Sequence, residues 1–137
     1  MVSKQMVDAI VDLFVALNEN DIGTYDDIFN AAQIRPPVYD RLARIWAEAM
    51  SRAREILLDV HNIVLENVPR VGYRVSDPES RIRISQDIMK RSRKVLEKGE
   101  KITIQTDPSR LTRIGRAERR KFIKAYGRAL KAFDKAL

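Results

Sequence analysis

None of the 137 residues is cysteine, which excludes a disulfide framework and any thiolate metal site. The single histidine, His61, rules out clustered imidazole ligands and leaves no second ring for a proton shuttle. Nowhere do about 18 apolar residues run together, so no membrane span is expected. Asp8 and Asp12 interrupt the N-terminal apolar stretch, which argues against a signal peptide and makes the cytoplasm the expected location. The five glycines form neither a Gly-x-Gly-x-x-Gly nor a Gly-x-x-x-x-Gly-Lys phosphate loop. Asp8 and Asp12, four apart on a polar helix face, read as solvated carboxylates. With no nucleophile–base arrangement either, the chain is expected to be no enzyme and to use no cofactor or metal.

Charge is abundant and unevenly placed. The net charge of +7 combines two opposite halves. Residues 1–66 hold 6 Lys/Arg against 11 Asp/Glu, a balance of −5. Residues 67–137 hold 20 against 8, a balance of +12. A basic half of this size favours nucleic acid, another polyanion or an acidic protein face.

Apolar spacing and capping residues divide the chain. Met6, Ile10, Leu13, Phe14 and Leu17 recur at helical steps and predict a helix over about 3–18. After an extended link at Ile22-Gly23-Thr24, Thr24 and Asp27 form a capping box for a second helix over about 25–33, with Ile28, Phe29 and Ala32 inward. Arg35-Pro36-Pro37 breaks that helix, and a longer one is expected over about 37–60. Val38, Leu42, Ile45, Trp46, Ala49, Ala53, Ile56, Leu57 and Val60 form its buried stripe. Its other side begins basic and aromatic and then pairs its charges. Residues 62–75 alternate apolar and polar around Pro69 and Gly72, as a hairpin does.

Asp77-Pro78-Glu79 opens a fourth helix that Gly99 is expected to stop, with Ile102–Thr106 as a short strand. A last helix over about 116–136, preceded by a break near Gly115, carries Phe122, Ile123, Tyr126, Leu130, Phe133 and Leu137 on one stripe and cations on another.

Val71-Gly72-Tyr73-Arg74-Val75 resembles the closing hairpin of OmpR/PhoB-type winged-helix effector domains, in which a Gly-Tyr-Arg segment follows the recognition helix. In element order the resemblance covers about 22–75. It implies that Arg70 lies at a wing tip within reach of the minor groove or its phosphates, with Arg74 beside it and Tyr73 packed inward. The sequence has neither that family's acidic phosphate-receiver domain nor room for its N-terminal sheet, and residues 76–137 follow the wing, so phosphorylation control is not carried over. It is more similar to the small winged-helix regulators of phages and mobile elements.

The resulting expectation is a mainly α chain with a small β-hairpin: a winged helix-turn-helix domain over 1–76 and a basic helical extension over 77–137. It would bind double-stranded DNA with sequence preference, as a small transcriptional regulator. Tyr39, Arg41 and Arg44 would meet the bases from the third helix, with Arg35 a further DNA-binding residue just ahead of it. Arg70 and Arg74 on the wing would hold phosphates, as would Arg116, Arg119, Arg120, Lys121, Lys124 and Arg128 near and along the last helix. The C-terminal helices are the expected homodimer contact. The same charge pattern suits two alternatives: an adaptor of winged-helix architecture with an acidic partner, and an RNA-binding or replication-associated module.

Overall fold

A computed structural model describes the backbone of residues 2–34 and 40–137, and the side chains of all of these except 40–42. Arg35 and Tyr39, the start of the third helix and the side chain of Arg41 therefore lie outside the described residues. The chain divides into two compact units, Met1–Arg81 and Ile82–Leu137.

In the first unit the order is α1 (Lys4–Val15), β1 (Ile22–Thr24), α2 (Tyr25–Ala32), α3 (Asp40–His61), β2 (Leu65–Val68) and β3 (Gly72–Val75). Ser3 caps α1 by accepting from the Met6 amide at 3.1 Å. Val7, Ile10, Val11 and Phe14 form its buried face, while Met6, Leu13 and Leu17 pack only partly against the core. The helix ends at Val15, three residues before the expected boundary. Beyond it Asp21 accepts from the Asn18 amide at 2.9 Å, and Asn20 turns left-handed at φ 69°.

Thr24 and Asp27 form the expected capping box, each side chain accepting at 3.1 Å from the other's amide. Such a cap is worth about 1 kcal/mol. Ile28 and Ala32 are buried and Phe29 half-buried, as their spacing requires.

In α3 the spacing holds in part. Ala49, Ala53 and Leu57 are buried, joined by Met50, which the expected stripe omits; Ile45, Trp46 and Ile56 are half-buried. Val60, expected inside, is 71 % exposed. It lines an open groove with Lys4 and Val7, so α1 begins beside it and no further turn covers it.

The segment expected as an extended link is a strand. β1 pairs antiparallel with β3, Ile22 opposite Arg74 and Thr24 opposite Gly72. β2 pairs with the other edge of β3, Leu65 opposite Val75 and Val68 opposite Gly72, giving the order β1-β3-β2. Gly72 is required where the strands cross. A Cβ there would lie 2.1 Å from the Gly23 carbonyl oxygen and 2.8 Å from the Thr24 Cα.

The second unit is built on α4 and α5. Asp77 caps α4 (Pro78–Gln105), accepting from the Ser80 amide at 2.8 Å. The helix runs 28 residues through Gly99, which is neither a stop nor the start of a strand. A Cβ on Gly99 would lie 2.5 Å from the Tyr126 hydroxyl and 2.7 Å from its ring, so the glycine makes room for the Tyr126 side chain of α5. The strand-like Ile102–Thr106 run is helical up to Gln105. Thr103 and Thr106 donate their hydroxyls to the carbonyls four residues back, at 2.9 and 2.7 Å. These bonds, with Arg119 of α5 meeting the carbonyls of Thr103, Ile104 and Thr106, hold the β-branched run in the helix. A 3-10 turn (Pro108–Arg110) leads to α5 (Arg113–Ala136). Thr112 caps α5 by accepting from the Gly115 amide at 3.1 Å, so Gly115 sits in its first turn and does not break it.

Candidate nucleic-acid interface

Exposed cations stand in both units, singly in the first and as a continuous face in the second. In the first, the hairpin is braced against α3 by an aromatic cluster. Tyr25 meets Tyr73 and Trp46 edge-on, with ring centroids 6.2 Å apart in both pairs, and Phe29 meets Trp46 at 5.1 Å. The Tyr25 hydroxyl donates to Asn67 Oδ1 at 3.3 Å, and its amide donates to the Val71 carbonyl at 3.0 Å. Arg54 stacks over the Tyr73 ring at 5.4 Å and donates to the Leu65 carbonyl at 3.4 Å. Burial pushes the Tyr73 phenol above its ordinary value, with Arg54 opposing and Tyr25 reinforcing the shift. Between the hairpin and α3 lies an open hollow of about 310 Å³ lined by Trp46, Ala47, Met50, Ser51, Arg54 and Tyr73.

The tip of the hairpin is a four-residue turn. The Val71 amide donates to the Val68 carbonyl at 3.0 Å, Pro69 takes the second position and Arg70 the third. Arg70 adopts φ 67°, the left-handed conformation that a type II turn demands and that glycine or asparagine ordinarily supplies. Its side chain is exposed. Arg74 points elsewhere: its Nη1 lies 3.7 Å from Glu66 Oε2 across the hairpin, an ion pair without a hydrogen bond.

Along α3, Arg44 is exposed. The rest of the described face is mixed in sign. Glu48 and Arg52 pair at 2.7 Å, and Glu55 and Asp59 are exposed beyond them.

In the second unit, Lys121, Lys124, Arg128, Lys131 and Lys135 recur at three- and four-residue steps and are all exposed, forming one basic face of α5; Arg120 is exposed beside it. Two of the expected phosphate ligands make hydrogen bonds within the fold. Arg119 donates to the carbonyls of Thr103, Thr106 and Ile104 at 3.2, 3.1 and 3.0 Å, closing the C-terminal end of α4. Arg116 donates to the Leu111 carbonyl at 2.9 Å. Trp46 was expected only as part of the buried stripe of α3, and Arg54, Tyr25 and Asn67 were not singled out by the sequence. Their partners stand far along the chain, 42 residues in the case of Tyr25 and Asn67, and no local spacing marks them.

His61 is exposed at the end of α3. Among the described residues, no three His, Cys, Asp or Glu side chains gather as a metal-binding group. No described helix is long and apolar enough to cross a membrane. Compared with protein-family models, curated proteins and solved structures, the chain has no significant match in any of the three.

Proposed function

We propose that residues 1–81 form a winged helix-turn-helix domain that binds double-stranded DNA with sequence preference, and that the chain acts as a small transcriptional regulator. The α-β-α-α-β-β order and the β1-β3-β2 sheet support the architecture. One observation carries the binding role: an exposed arginine, Arg70, occupies the left-handed position of the hairpin turn. A left-handed L-residue costs about 1–2 kcal/mol, and among the described residues this cation has no ion-pair partner. A wing tip reaching a phosphate or the minor groove accounts for it. Base readout falls to the N-terminal part of α3, where Arg44 stands, because Glu55 and Asp59 further along would face phosphates with like charge. The basic face of α5 adds sequence-independent phosphate contacts.

Selection of bound sequences from random duplexes, followed by binding assays on the selected and a scrambled duplex at two salt concentrations, tests this reading. The selected duplex should bind tighter, and both affinities should fall steeply as salt rises. Equal binding of both duplexes refutes the sequence preference. The mixed charge on α3 favours one second reading, an adaptor whose basic surface meets an acidic protein. Absence of duplex binding even at low salt would select it.

A further inference from the structure

The two helices of residues 82–137 meet along one seam and leave an apolar edge uncovered beside it. Arg93 contacts Asp134 at 2.8 Å, Gly99 lies against Tyr126, and Arg119 reaches the end of α4, so the helices run antiparallel. Each residue turns a helix by about 100°. On that spacing Ile88, Val95 and Ile102 stand on the flank of Gly99 away from Arg93, and Phe122 stands on the flank of Tyr126 away from Asp134. The four therefore share one edge of the pair, and they are 52, 70, 59 and 49 % exposed. Along α4 this ridge is about 21 Å long. Cations border it on both sides. Arg91, Lys98, Lys94 and Lys101 follow around α4, Lys121 and Arg128 stand beyond Phe122 on α5, and all six are exposed. The same side holds two carboxylates, Asp87 and Glu118.

We infer that this edge docks on a bilayer surface rich in anionic phospholipid, with the ridge seated below the headgroups and the bordering cations among the phosphates. Charge chooses the occupant. Residues 82–137 hold 17 Lys/Arg against 6 Asp/Glu, a balance of +11. A second copy would bring like charge to the face, whereas an anionic surface is attracted to it. Shape then favours a membrane over an acidic protein. The ridge side chains project from the helices, about half or more exposed, and a fluid surface receives a projecting ridge without a matching groove. The flexible stems of Arg91 and Lys98 let their charges stay at the level of the phosphates while the ridge sinks past them. Both helices lie in the plane of the surface, and neither has to cross it. The inference concerns residues 82–137 without nucleic acid and stands apart from the DNA reading.

Co-sedimentation of the full chain, free of DNA, with vesicles of phosphatidylglycerol and phosphatidylcholine in roughly a 1:2 ratio tests it, with pure phosphatidylcholine vesicles as the neutral comparison. The chain should bind the anionic vesicles and leave the neutral ones largely unbound. Val95→Ser with Ile102→Ser removes apolar surface without changing charge and should weaken binding at least about tenfold. Both positions are exposed, and circular dichroism should show the helicity of the parent. Arg91→Gln with Lys98→Gln should also weaken it about tenfold or more. Lys90→Gln with Arg113→Gln removes the same charge about half a turn from Ile88 and Phe122 and should stay within about threefold of the parent. Serine variants that bind as the parent does would show that net charge alone suffices and overturn the inference. So would a far-side pair that matters as much as Arg91 and Lys98. Absence of binding to the anionic vesicles at low salt would overturn it in favour of an acidic protein.

Discussion

Replacing Arg70 with glycine should stabilise the first unit and weaken its grip on DNA at once. The two effects have separate origins. In the folded chain Arg70 is held at φ 67° by the Val68–Val71 turn, and its side chain makes no ion pair or hydrogen bond among the described residues. Glycine takes the same backbone conformation without the Cβ conflict, so Arg70→Gly should raise stability by about 1 kcal/mol. For a unit of this size, that moves the melting midpoint by roughly 4–8 °C. Trp46, the only tryptophan, belongs to the first unit, so its fluorescence reports on that unit. The same variant loses one phosphate contact, and the slope of log affinity against log salt should shrink by about 0.9. Arg70→Lys keeps the charge and the strain, and should change neither quantity much. A glycine variant that melts lower would show that the left-handed turn is not a source of strain. One that melts higher but binds DNA with an unchanged slope would remove the wing tip from the interface.

Arg44→Ala should narrow the difference in affinity between selected and scrambled duplexes, whereas Arg120→Ala and Lys124→Ala should weaken both equally; the reverse pattern would reassign the reading element. Gly99→Ala should destabilise the second unit by roughly 1–3 kcal/mol, the range for overpacking, despite alanine's better helix propensity. Tyr126→Leu in the same chain should recover most of that loss in a thermal melt followed by circular dichroism. Because folding raises the Tyr73 phenol's pKa, its contribution is fully present below the unfolded value near 10 and is lost as pH rises through the higher folded value. Trp46 fluorescence melts should therefore show the first unit weakening above about pH 10, and Tyr73→Phe should flatten that decline.

How much could be read in advance depended on how local the physics was. The Thr24–Asp27 box and the Asp77 cap are satisfied within three residues, so their residue types alone place the helix starts. β1 escaped notice because three residues carry no period and its partner, β3, lies some 50 positions away. Gly99 was misjudged because glycine is the usual way to end a helix, and only Tyr126, on another element, reveals its use as a close approach. The candidate interface divides the same way. Arg70 advertises itself by its place in a Pro-containing turn. Arg74 and Arg119 look like phosphate ligands until the carboxylate across the hairpin and the carbonyls ending α4 are seen to occupy them.

Thr24 belongs to two elements: it is the last residue of β1, opposite Gly72, and it is the cap of α2. The adjoining Tyr25 amide, in the first turn of α2, bonds to the carbonyl of Val71 in the turn at the tip of the hairpin. Peeling the hairpin away would therefore also strip the start of α2 of its anchorage. The finger beside α3 is consequently no free flap: amide protons of the hairpin and of the first turn of α2 belong to one opening event, and the finger meets a ligand already set in position.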